Sequence, residues 1–521
     1  MAQVTRSSAI RRGGVAVLLA AGVFTTALGA QQPAAPAAQT PALLQLSMEQ
    51  AIAMALETNL GLKADRLDVS IASENVAAAR SIFKPLLRST FTRNTTDRVP
   101  QSFVEGNAVV SSGATSLGSS ISQNLSWYGG GYSVNWQGAR NTTTALLAPF
   151  NPTLGSSLSL SYQQPLLRNF LIDSNRASLQ AAERSRKIAD LTLEQRVAAT
   201  RNAVQQAYLS LIGAIESLKV AQQNMDLATE NLKNFRARVQ VGVSADIDVI
   251  QAEAQVASNE EQLIVSEAGI STAEDALRAL IVDPKRADYW QVQLRPTDAI
   301  VATPREVDVD SAIRNALENR LDLQAARRQQ EITSLNLRLD ENLVKPDVTL
   351  GINYTAQGTG GTQFGYGEGF PPPVISRADK GFTSVLNDTL TAAYPSWTAT
   401  VNFSYPLGLS AARASLARTR IQQQQEGLGV QNLELQVAAA VRNAARDVQT
   451  NFKRVEATQK ARQASERQLD AEQRKFGVGL STSFELQSRQ RDLAQARISE
   501  LNAIIAYNRS LIAFERVQKI Q

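Results

Sequence analysis

The chain has 521 residues and a net charge of +5, and it contains neither cysteine nor histidine. The missing residue types exclude thiol nucleophiles, disulfides, histidine acid–base chemistry and the common zinc sites. The mild charge, spread in both signs, excludes the strongly basic surface that is typical of nucleic-acid-binding proteins.

The N-terminus is typical of a secretory signal peptide. Residues 1–30 combine three arginines and no acid with an apolar core from Val15 to Leu28, so the rest of the chain carries +2 (5 − 3). The arginines are Arg6, Arg11 and Arg12. Residues 31–45 are rich in Pro, Ala and Gln and predict a flexible lead-in. No later apolar run is long enough for a transmembrane helix, so a membrane role would require strands.

The rest of the chain contains a tandem duplication. The pattern of residues 51–66 recurs at 312–327, an offset of 261 (312 − 51), and a Lys-Pro pair follows each copy. Later segments recur with an offset of 237 (479 − 242). The first copy therefore contains 24 additional residues (261 − 237) between its Lys-Pro pair and its later segments.

The two copies predict the same series of elements. Each begins with a helix of about 35–40 residues that ends at Lys-Pro, because proline stops a helix. A strand region, a long helix, a glycine turn and a second helix of about 38 residues follow. We expect repeat 1 to span residues 46–306, including a linker at 283–306, and repeat 2 to span residues 307–521.

A long helix is predicted by a heptad pattern between residues 173 and 242. Aliphatic side chains recur every seven residues and mostly alanines recur three positions later, as in helices packed closely side by side. The aliphatic positions are Val197, Val204, Leu211, Leu218, Met225, Leu232 and Val239. At about 1.5 Å per residue this helix would be roughly 100 Å long. Val441, Val448 and Val455 occupy matching positions in repeat 2 and predict a second such helix.

Strands are predicted where apolar side chains alternate with Ser, Thr and Asn. These segments are residues 132–137, 157–162, 348–355 and 397–405. An uncharged polar face opposite an apolar one is typical of a membrane β-barrel, and a soluble sheet with one wet face is the alternative. In repeat 1 we expect residues 131–142 and 155–164 to cross the bilayer around an outer loop at 143–154. The additional residues contribute another strand-like segment near 117–128.

Two crossing strands in each repeat would give four strands per chain. Four strands cannot close a barrel, and open edges in lipid leave backbone groups unpaired. Because barrels have even strand numbers from about eight upward, the sequence predicts a dimer or a trimer that shares one barrel. The long helices must then project from the membrane.

The duplication, the long helices and two Val-Gly-x-Ser turns, at 241–244 and 478–481, resemble the TolC-type outer-membrane efflux proteins. The resemblance extends over about residues 46–521. It implies an α+β membrane protein that forms a homotrimeric channel, with a shared twelve-stranded β-barrel, four strands per chain, and a long α-helical barrel in the periplasm. It also implies a mixed α/β girdle around the helices, built from residues 283–306 and the start of each repeat.

The same resemblance assigns a role to the turns between the long and the shorter helices. It implies that a periplasmic adaptor docks there. The docking residues would be Gly242, Val243, Ser244, Gly479, Leu480 and Ser481. Asp248 and Glu485 match acidic positions at the tip constriction, where three copies of each would attract cations.

An ordinary structural interpretation of these tip residues is equally open. The two glycines fit helix C-caps, Ser244 and Ser481 fit N-caps, and the carboxylates suit the start of a helix dipole. A residue can serve both roles, so the structural and functional interpretations are compatible.

The implied function is the outer-membrane channel of a tripartite efflux system. It would be a passive conduit that carries small molecules or ions from a periplasmic adaptor and an inner-membrane pump to the exterior, with its strands in outer-membrane lipid and its helices in the periplasm. The exit duct of a type I protein-secretion system uses the same architecture, and a periplasmic coiled-coil protein without a pore is an alternative of another class. No catalytic site, cofactor, metal site or nucleic-acid partner is expected.

Overall fold

The computed structural model describes most of the chain from residue 43 onward. The described residues are 43–102, 105, 108–369, 371–408 and 410–518. The predicted signal peptide and most of the predicted lead-in lie outside these residues. In the described part of the chain, no helix combines the length and the apolarity that a bilayer-crossing helix needs.

In each repeat, short helices are followed by strands, then a long helix and a shorter helix. The elements are β1 (Leu43–Leu46), α1 (Met48–Thr58), α2 (Leu60–Ser81), β2 (Leu86–Arg98), β3 (Val110–Asn124), β4 (Gly131–Thr143), β5 (Phe150–Pro165), α3 (Ser174–Gln240), α4 (Asp246–Ile281), β6 (Gln293–Pro296), α5 (Val309–Asn319), α6 (Leu321–Leu343), β7 (Asp347–Tyr366), β8 (Val374–Lys380), α7 (Phe382–Leu390), β9 (Tyr394–Ser404), α8 (Ala411–Gly477) and α9 (Ser483–Gln518).

The long helices α3 and α8 have 67 residues each, so the predicted helix between residues 173 and 242 is confirmed. Asp173 caps the start of α3, since its carboxylate accepts the backbone N–H groups of Asn175 at 2.8 Å and Arg176 at 2.9 Å. The shorter helices α4 and α9 have 36 residues each and run back along the long ones. At about 1.5 Å per residue, α3 and α8 are each roughly 100 Å long.

The helix predicted at the start of each repeat is interrupted once, which the sequence pattern did not indicate. Asn59 separates α1 from α2 with an extended ψ of 120°, and its side-chain oxygen accepts the N–H of Leu62 at 3.0 Å. Arg320 separates α5 from α6 with a ψ of 127°. The helices on both sides of each break pack against a long helix, α1 and α2 against α3, and α5 and α6 against α8.

A buried core surrounds α3 at the level of the linker between the repeats. The linker contributes β6, which pairs in parallel with β1 at the start of repeat 1. The phenol of Tyr208, on α3, donates to the Leu46 carbonyl at 3.0 Å and to the Asp298 carboxylate at 2.9 Å. Burial raises the pKa of Tyr208, and the bond to Asp298 adds to this shift.

Repeat 2 forms a second core of the same kind around α8. Its buried members come from α5, α6, α8 and α9, including Val441 and Val448 of the predicted aliphatic pattern. Tyr507, fully buried on α9, donates to the Thr303 carbonyl at 2.7 Å and so attaches the linker to this core. The linker thus contacts the helical cores of both repeats.

The strands form one antiparallel sheet of seven. Its order is β2-β3-β4-β5-β7, and both β8 and β9 pair with the remaining edge of β7. Six of these strands are long, with 13, 15, 13, 16, 20 and 11 residues for β2, β3, β4, β5, β7 and β9. The predicted class, long helices and a sheet in two repeats, is confirmed.

The number of long strands differs from the predicted four per chain. Repeat 1 contributes four long strands, and the strand predicted near 117–128 is part of β3. The sequence pattern missed β2 because Arg93 and Asp97 interrupt its alternation. The predicted crossing segments 131–142 and 155–164 fall in β4 and β5.

The two faces of this sheet differ chemically along its whole width. Residues that pair across antiparallel strands share a face. One row across the six long strands is apolar: Leu87, Ile121, Val134, Leu160, Tyr354 and Trp397. The next row, on the opposite face, is polar: Arg88, Ser120, Asn135, Ser159, Thr355 and Ser396. Most of the apolar row is exposed to solvent in a single chain.

Candidate functional site: the helix tips

The two turns between long and shorter helices have the same backbone geometry. Gly242 and Gly479 adopt φ values of +74° and +78°, a conformation that favours glycine. In each turn the N–H two residues beyond the C-cap bonds back to the last helical turn at 2.9 Å, from Val243 to Arg238 and from Leu480 to Lys475. This is the arrangement that ends a helix at a left-handed glycine. The predicted structural role of both glycines is therefore confirmed.

The predicted N-cap residues are wrong by one position. Helix α4 begins after Ala245, which makes no side-chain cap bond, and not after Ser244. In the other tip the hydroxyl oxygen of Thr482 accepts the N–H of Glu485 at 3.3 Å, so Thr482 caps α9 in place of Ser481. The shift follows from the glycine turn, which uses one more residue than expected before the helical conformation resumes.

Aliphatic side chains project from both turns. Val241 and Val243 in the first tip, and Val478 and Leu480 in the second, are between 71% and 79% exposed. Val241 and Val478 were not among the predicted docking residues, although each is the first residue of the Val-Gly-x-Ser motif that identified the others. Four exposed aliphatic side chains at the ends of two helical hairpins form an apolar patch that a partner could cover.

The predicted carboxylates lie on the first turns of α4 and α9 in different surroundings. Asp248 accepts a hydrogen bond from the hydroxyl of Ser483, so it joins the tip of repeat 1 to the start of α9. Glu485 pairs instead with Arg489, one turn further along α9, at 2.6 Å. This ion pair raises the pKa of Arg489. The arginine was missed because the sequence comparison of the two repeats drew attention only to what they share, and repeat 1 has Ala252 at that position.

A second carboxylate supports the tip of repeat 2 from the end of the long helix. The hydroxyl of Ser481 donates to Glu472, and this bond, followed by the charge of Lys475, lowers the pKa of Glu472. Repeat 1 has Phe235 at the matching position of α3, where it is buried. The second tip is therefore held by a polar contact that the first tip lacks.

The two hairpins pack against each other just behind the tips. The rings of Phe235 on α3 and Phe476 on α8 meet edge to face with centroids 5.8 Å apart, and the Arg238 guanidinium lies 4.6 Å from the centroid of Phe476. The amide of Asn231 donates to the side chain of Gln490 on α9 at 2.8 Å. The structure thus places all four predicted turns and helix starts at one end of the helical part, opposite the strands.

The family follows from comparison with known proteins. The family model described as "Outer membrane efflux protein" matches residues 51–281 and 312–517, one segment in each repeat and most of the chain. The chain belongs to the outer membrane efflux protein family. Both matched segments begin in the first helix of a repeat and end in its last helix, so the family model describes the same duplication.

Individual relatives match more limited parts of the chain. The outer membrane protein TolC of Vibrio cholerae is 25% identical over 232 residues, which are 42% of this chain and 52% of TolC. The pyoverdine export outer membrane protein OpmQ of Pseudomonas putida is 28% identical over 193 residues, which are 37% of this chain and 38% of OpmQ. The chain thus spans about half or less of the length of these curated relatives.

Solved structures share the fold over nearly the whole chain. The CmeC outer membrane channel of Campylobacter jejuni has a TM-score of 0.65 at 14% identity and covers 91% of this chain and 85% of its own. CusC has a TM-score of 0.65 at 15% identity and covers 94% of this chain and 98% of its own. At such low identity these structures establish the shared architecture of the outer membrane efflux protein family and nothing more specific.

Proposed function

We propose that this protein is the outer-membrane channel of a tripartite efflux system. In this system a periplasmic adaptor and an inner-membrane pump deliver small molecules or ions to the channel, which conducts them passively to the exterior. The observation that carries the proposal is the combination, in one chain of this family, of two helical hairpins roughly 100 Å long with a sheet that is apolar on one face and polar on the other.

The sheet supplies the membrane end of the channel. Its six long strands have 11–20 residues, and about 9–11 tilted residues suffice to cross a bilayer. Lipid favours the apolar face, and a water-filled lumen favours the row of Ser, Asn and Thr on the other. Because a sheet with two open edges leaves backbone groups unpaired in lipid, the chain functions as a homotrimer that closes one shared barrel.

The tips supply the periplasmic end and the docking site for the adaptor. The predicted docking residues Gly242, Val243, Ser244, Gly479, Leu480 and Ser481 form the two turns. Their glycines fix the turn geometry, and the adjoining exposed aliphatic side chains lose contact with water when a partner covers them. Binding of this kind is sensitive to a single charge placed in the apolar patch.

The carboxylates of the tips set the ionic preference of the constriction. Three copies of Asp248 form a ring of negative charge, which attracts cations and repels anions. Three copies of Glu485 form a second ring, but each of these carboxylates is paired with Arg489 at 2.6 Å. Asp248 therefore dominates the preference, and Glu485 contributes less than its charge alone suggests.

Two measurements test the proposed channel: the location of the protein in cell fractions and its conductance in planar bilayers. The expected result is a heat-modifiable trimer in the outer-membrane fraction and discrete, cation-preferring channels when the purified protein is added to planar bilayers. Protein that stays entirely in the soluble periplasmic fraction, or purified trimers that conduct nothing, would overturn the proposal.

Adaptor docking is tested by charge substitution in the apolar patch. Leu480→Asp and Val243→Asp should abolish copurification of a periplasmic adaptor with the tagged channel after mild cross-linking in cells. Ile264→Asp is the matched control, because Ile264 is 61% exposed but lies half-way along α4, away from the turns. Equal adaptor recovery from all three variants, each present as a trimer, would remove the tips as the docking site.

A further inference from the structure

The two strands of repeat 1 beyond the predicted pair, β2 and β3, are integral to the sheet. Strand β2 pairs with β3 over its full length, from Leu86 to Arg98. Strand β3 in turn pairs with β4 from Ser112 to Asn124 without a bulge. The apolar and polar rows of the sheet continue through these strands, with Leu87 and Ile121 in one row and Arg88 and Ser120 in the next. The hairpin of β2 and β3 thus continues both faces of the sheet in its half nearer the helices, whereas Arg93 and Asp97 lie on the face of Leu87 further along β2.

The turn between β3 and β4 is attached to the start of the long helix. The side-chain amide of Gln164, at the end of β5, donates to the Tyr128 carbonyl at 2.8 Å. Gly129 lies so close to this connection that an added Cβ would be 2.3 Å from the Asn169 carbonyl oxygen. Tyr128 also stacks on Phe170 with ring centroids 4.8 Å apart. These contacts fix the additional hairpin beside the strand-to-helix junction.

The pairing leaves no free edge at β4. All 13 residues of β4, Gly131 to Thr143, have partners in β3, and β5 occupies its other side. A barrel of four strands per chain would need an open edge at β4, where the neighbouring copy would join. The open edges of the long strands are instead at β2 and β9, because each of these has a partner on one side only.

The exposure of the side chains follows this arrangement. Every residue of β9 and all but the last of β2 are exposed, whereas most residues of the inner strands are partly covered. Within the apolar row, the edge members Leu87 and Trp397 are 68% and 74% exposed. Two open edges of 13 and 11 residues would leave many N–H and C=O groups unpaired in lipid.

We infer that β2 of one copy pairs with β9 of the next, so that three copies close a barrel of eighteen strands, six from each chain. Direction permits this pairing, because the six long strands alternate and β2 therefore runs opposite to β9. Every neighbour in the closed ring is then antiparallel, and the strand number is even, as in other membrane barrels. The partner of this surface is a second copy of the same chain.

The consequence is a wider outlet than twelve strands would give. Barrel diameter grows roughly linearly with strand number, so eighteen strands make it about one and a half times as wide. The added wall is lined by the polar face of β2 and β3, including Thr90, Thr92 and Ser116. Its charged members are Arg88 and Arg98, and Arg98 is paired with Glu105, so Arg88 adds to the lumen three positive charges that are unpaired among the described residues. The strand end of the channel is then no barrier to bulky cargo, and selection falls to the helix tips.

The inference rests on the proposed outer-membrane trimer, and cysteine cross-linking tests it separately. The chain has no cysteine, so introduced pairs react without background. Ser396→Cys on the polar face of β9 is combined in turn with Thr92→Cys, Asn94→Cys or Thr96→Cys on the polar face of β2, which lie in the half of β2 away from the helices, as Ser396 does in β9. Purified outer-membrane trimers are treated with a short bifunctional thiol reagent and analysed by denaturing electrophoresis.

Three further pairs serve as controls in trimers purified and treated in the same way. Ser396→Cys with Asn135→Cys or Gln137→Cys on β4 tests closure at β4. Ser396→Cys with Thr355→Cys joins two residues that are paired within one chain, and it must react without linking chains. This in-chain pair shows that the sheet is folded and accessible to the reagent.

The expected result is covalent linkage between chains for at least one β2 combination and none for the β4 combinations. Linkage through β4, or no linkage through β2 while the in-chain pair reacts, would overturn the eighteen-stranded barrel. Absence of trimers in the outer membrane would instead overturn the proposed function. A cross-section by electron cryomicroscopy gives an independent count, and twelve strands in the wall would refute the inference.

Discussion

The helical and strand parts of the two repeats differ in how closely they preserve the duplication. Helices α3 and α8 have the same length, as do α4 and α9, and their matching positions keep a constant offset. The strand regions have four long strands in repeat 1 and two in repeat 2. Helices packed along roughly 100 Å must keep one heptad register, whereas an antiparallel sheet accepts a whole hairpin without changing its neighbours.

The largest expected effect is a loss of stability when a buried side chain is shortened at matching positions of the two helical cores. Leu211 and Val448 occupy matching positions of α3 and α8 and are almost completely buried. Leu211→Ala should lower the free energy of unfolding by about 2–5 kcal/mol. Val448→Ala should cost less because it removes two carbons instead of three. Thermal melting followed by far-UV circular dichroism measures both, with Ser271→Ala on an exposed face of α4 as the control. If Leu211→Ala lowered the free energy of unfolding no more than Ser271→Ala does, the buried core around α3 would be contradicted.

A smaller and equal effect is expected at the two glycine turns. Gly242→Ala and Gly479→Ala each place a Cβ on a residue with positive φ, although no atom lies within 4 Å of the added carbon. Each should destabilise its own tip by about 1–2 kcal/mol. Hydrogen exchange of the amides in each turn reports this separately. Gly477→Ala, which also has open space but lies within α8 without positive φ, should show no such loss. Unequal losses at the two tips would show that the turns are not equivalent.

The tips should differ in their effect on ion selectivity. Asp248→Asn should reduce the preference for cations several-fold, because it removes the proposed ring of three carboxylates, whose hydrogen bond within the chain comes from the uncharged Ser483. Glu485→Gln should reduce it less, since Arg489 already balances that charge. Arg489→Gln should raise it. Reversal potentials in a salt gradient across planar bilayers give all three values, and unchanged selectivity in the double variant Asp248→Asn with Glu485→Gln would refute the ring assignment.

A modest stabilisation is expected when repeat 1 is made more like repeat 2. Gly269 in α4 corresponds to Ala506 in α9, and an added Cβ at Gly269 meets nothing within 4 Å. Gly269→Ala should therefore stabilise the helix by about 0.5–1 kcal/mol. Gly213→Ala is the contrasting case, because its Cβ would lie 2.6 Å from Cδ1 of Ile505. Gly269→Ala should therefore melt at a higher temperature than Gly213→Ala. An equal gain in both variants would show that α9 can move away from Gly213.

The smallest expected effect is a pH dependence of the local stability of the second tip. The Ser481 hydroxyl and then Lys475 lower the pKa of Glu472 below its ordinary value of 4.5. A depressed carboxyl pKa stabilises the folded tip above that value, and this contribution is lost as the pH falls through the lower folded pKa. Hydrogen exchange near Ser481 should therefore accelerate at acid pH more than exchange near Ser244, and Glu472→Gln should remove the difference. Equal acceleration in the two tips of the unsubstituted protein would contradict this prediction.

The helical architecture and the positions of the tips were predictable because their signals are local or periodic. The heptad positions from Val197 to Val239 identify α3 almost to its last residue, and the repeated Val-Gly-x-Ser motif identifies both turns. The breaks at Asn59 and Arg320 were not predictable, since neither residue stops a helix on its own. The partners of the two carboxylates were not predictable either. Ser483, the partner of Asp248, is distant in sequence, and Arg489, the partner of Glu485, occurs in one repeat only.

The duplication, the two long helices, the glycine turns and the alternation in four of the strands can all be inferred from the amino-acid sequence alone. These features follow from propensity and periodicity, which depend on neighbours a few residues away in the chain. The number and pairing of the strands became clear from the folded chain, because β2 acquires its register from β3 and not from its own interrupted alternation. Pairing between strands is a non-local interaction, and the edges that it leaves open, at β2 and β9, are where a second copy of the chain is expected to join.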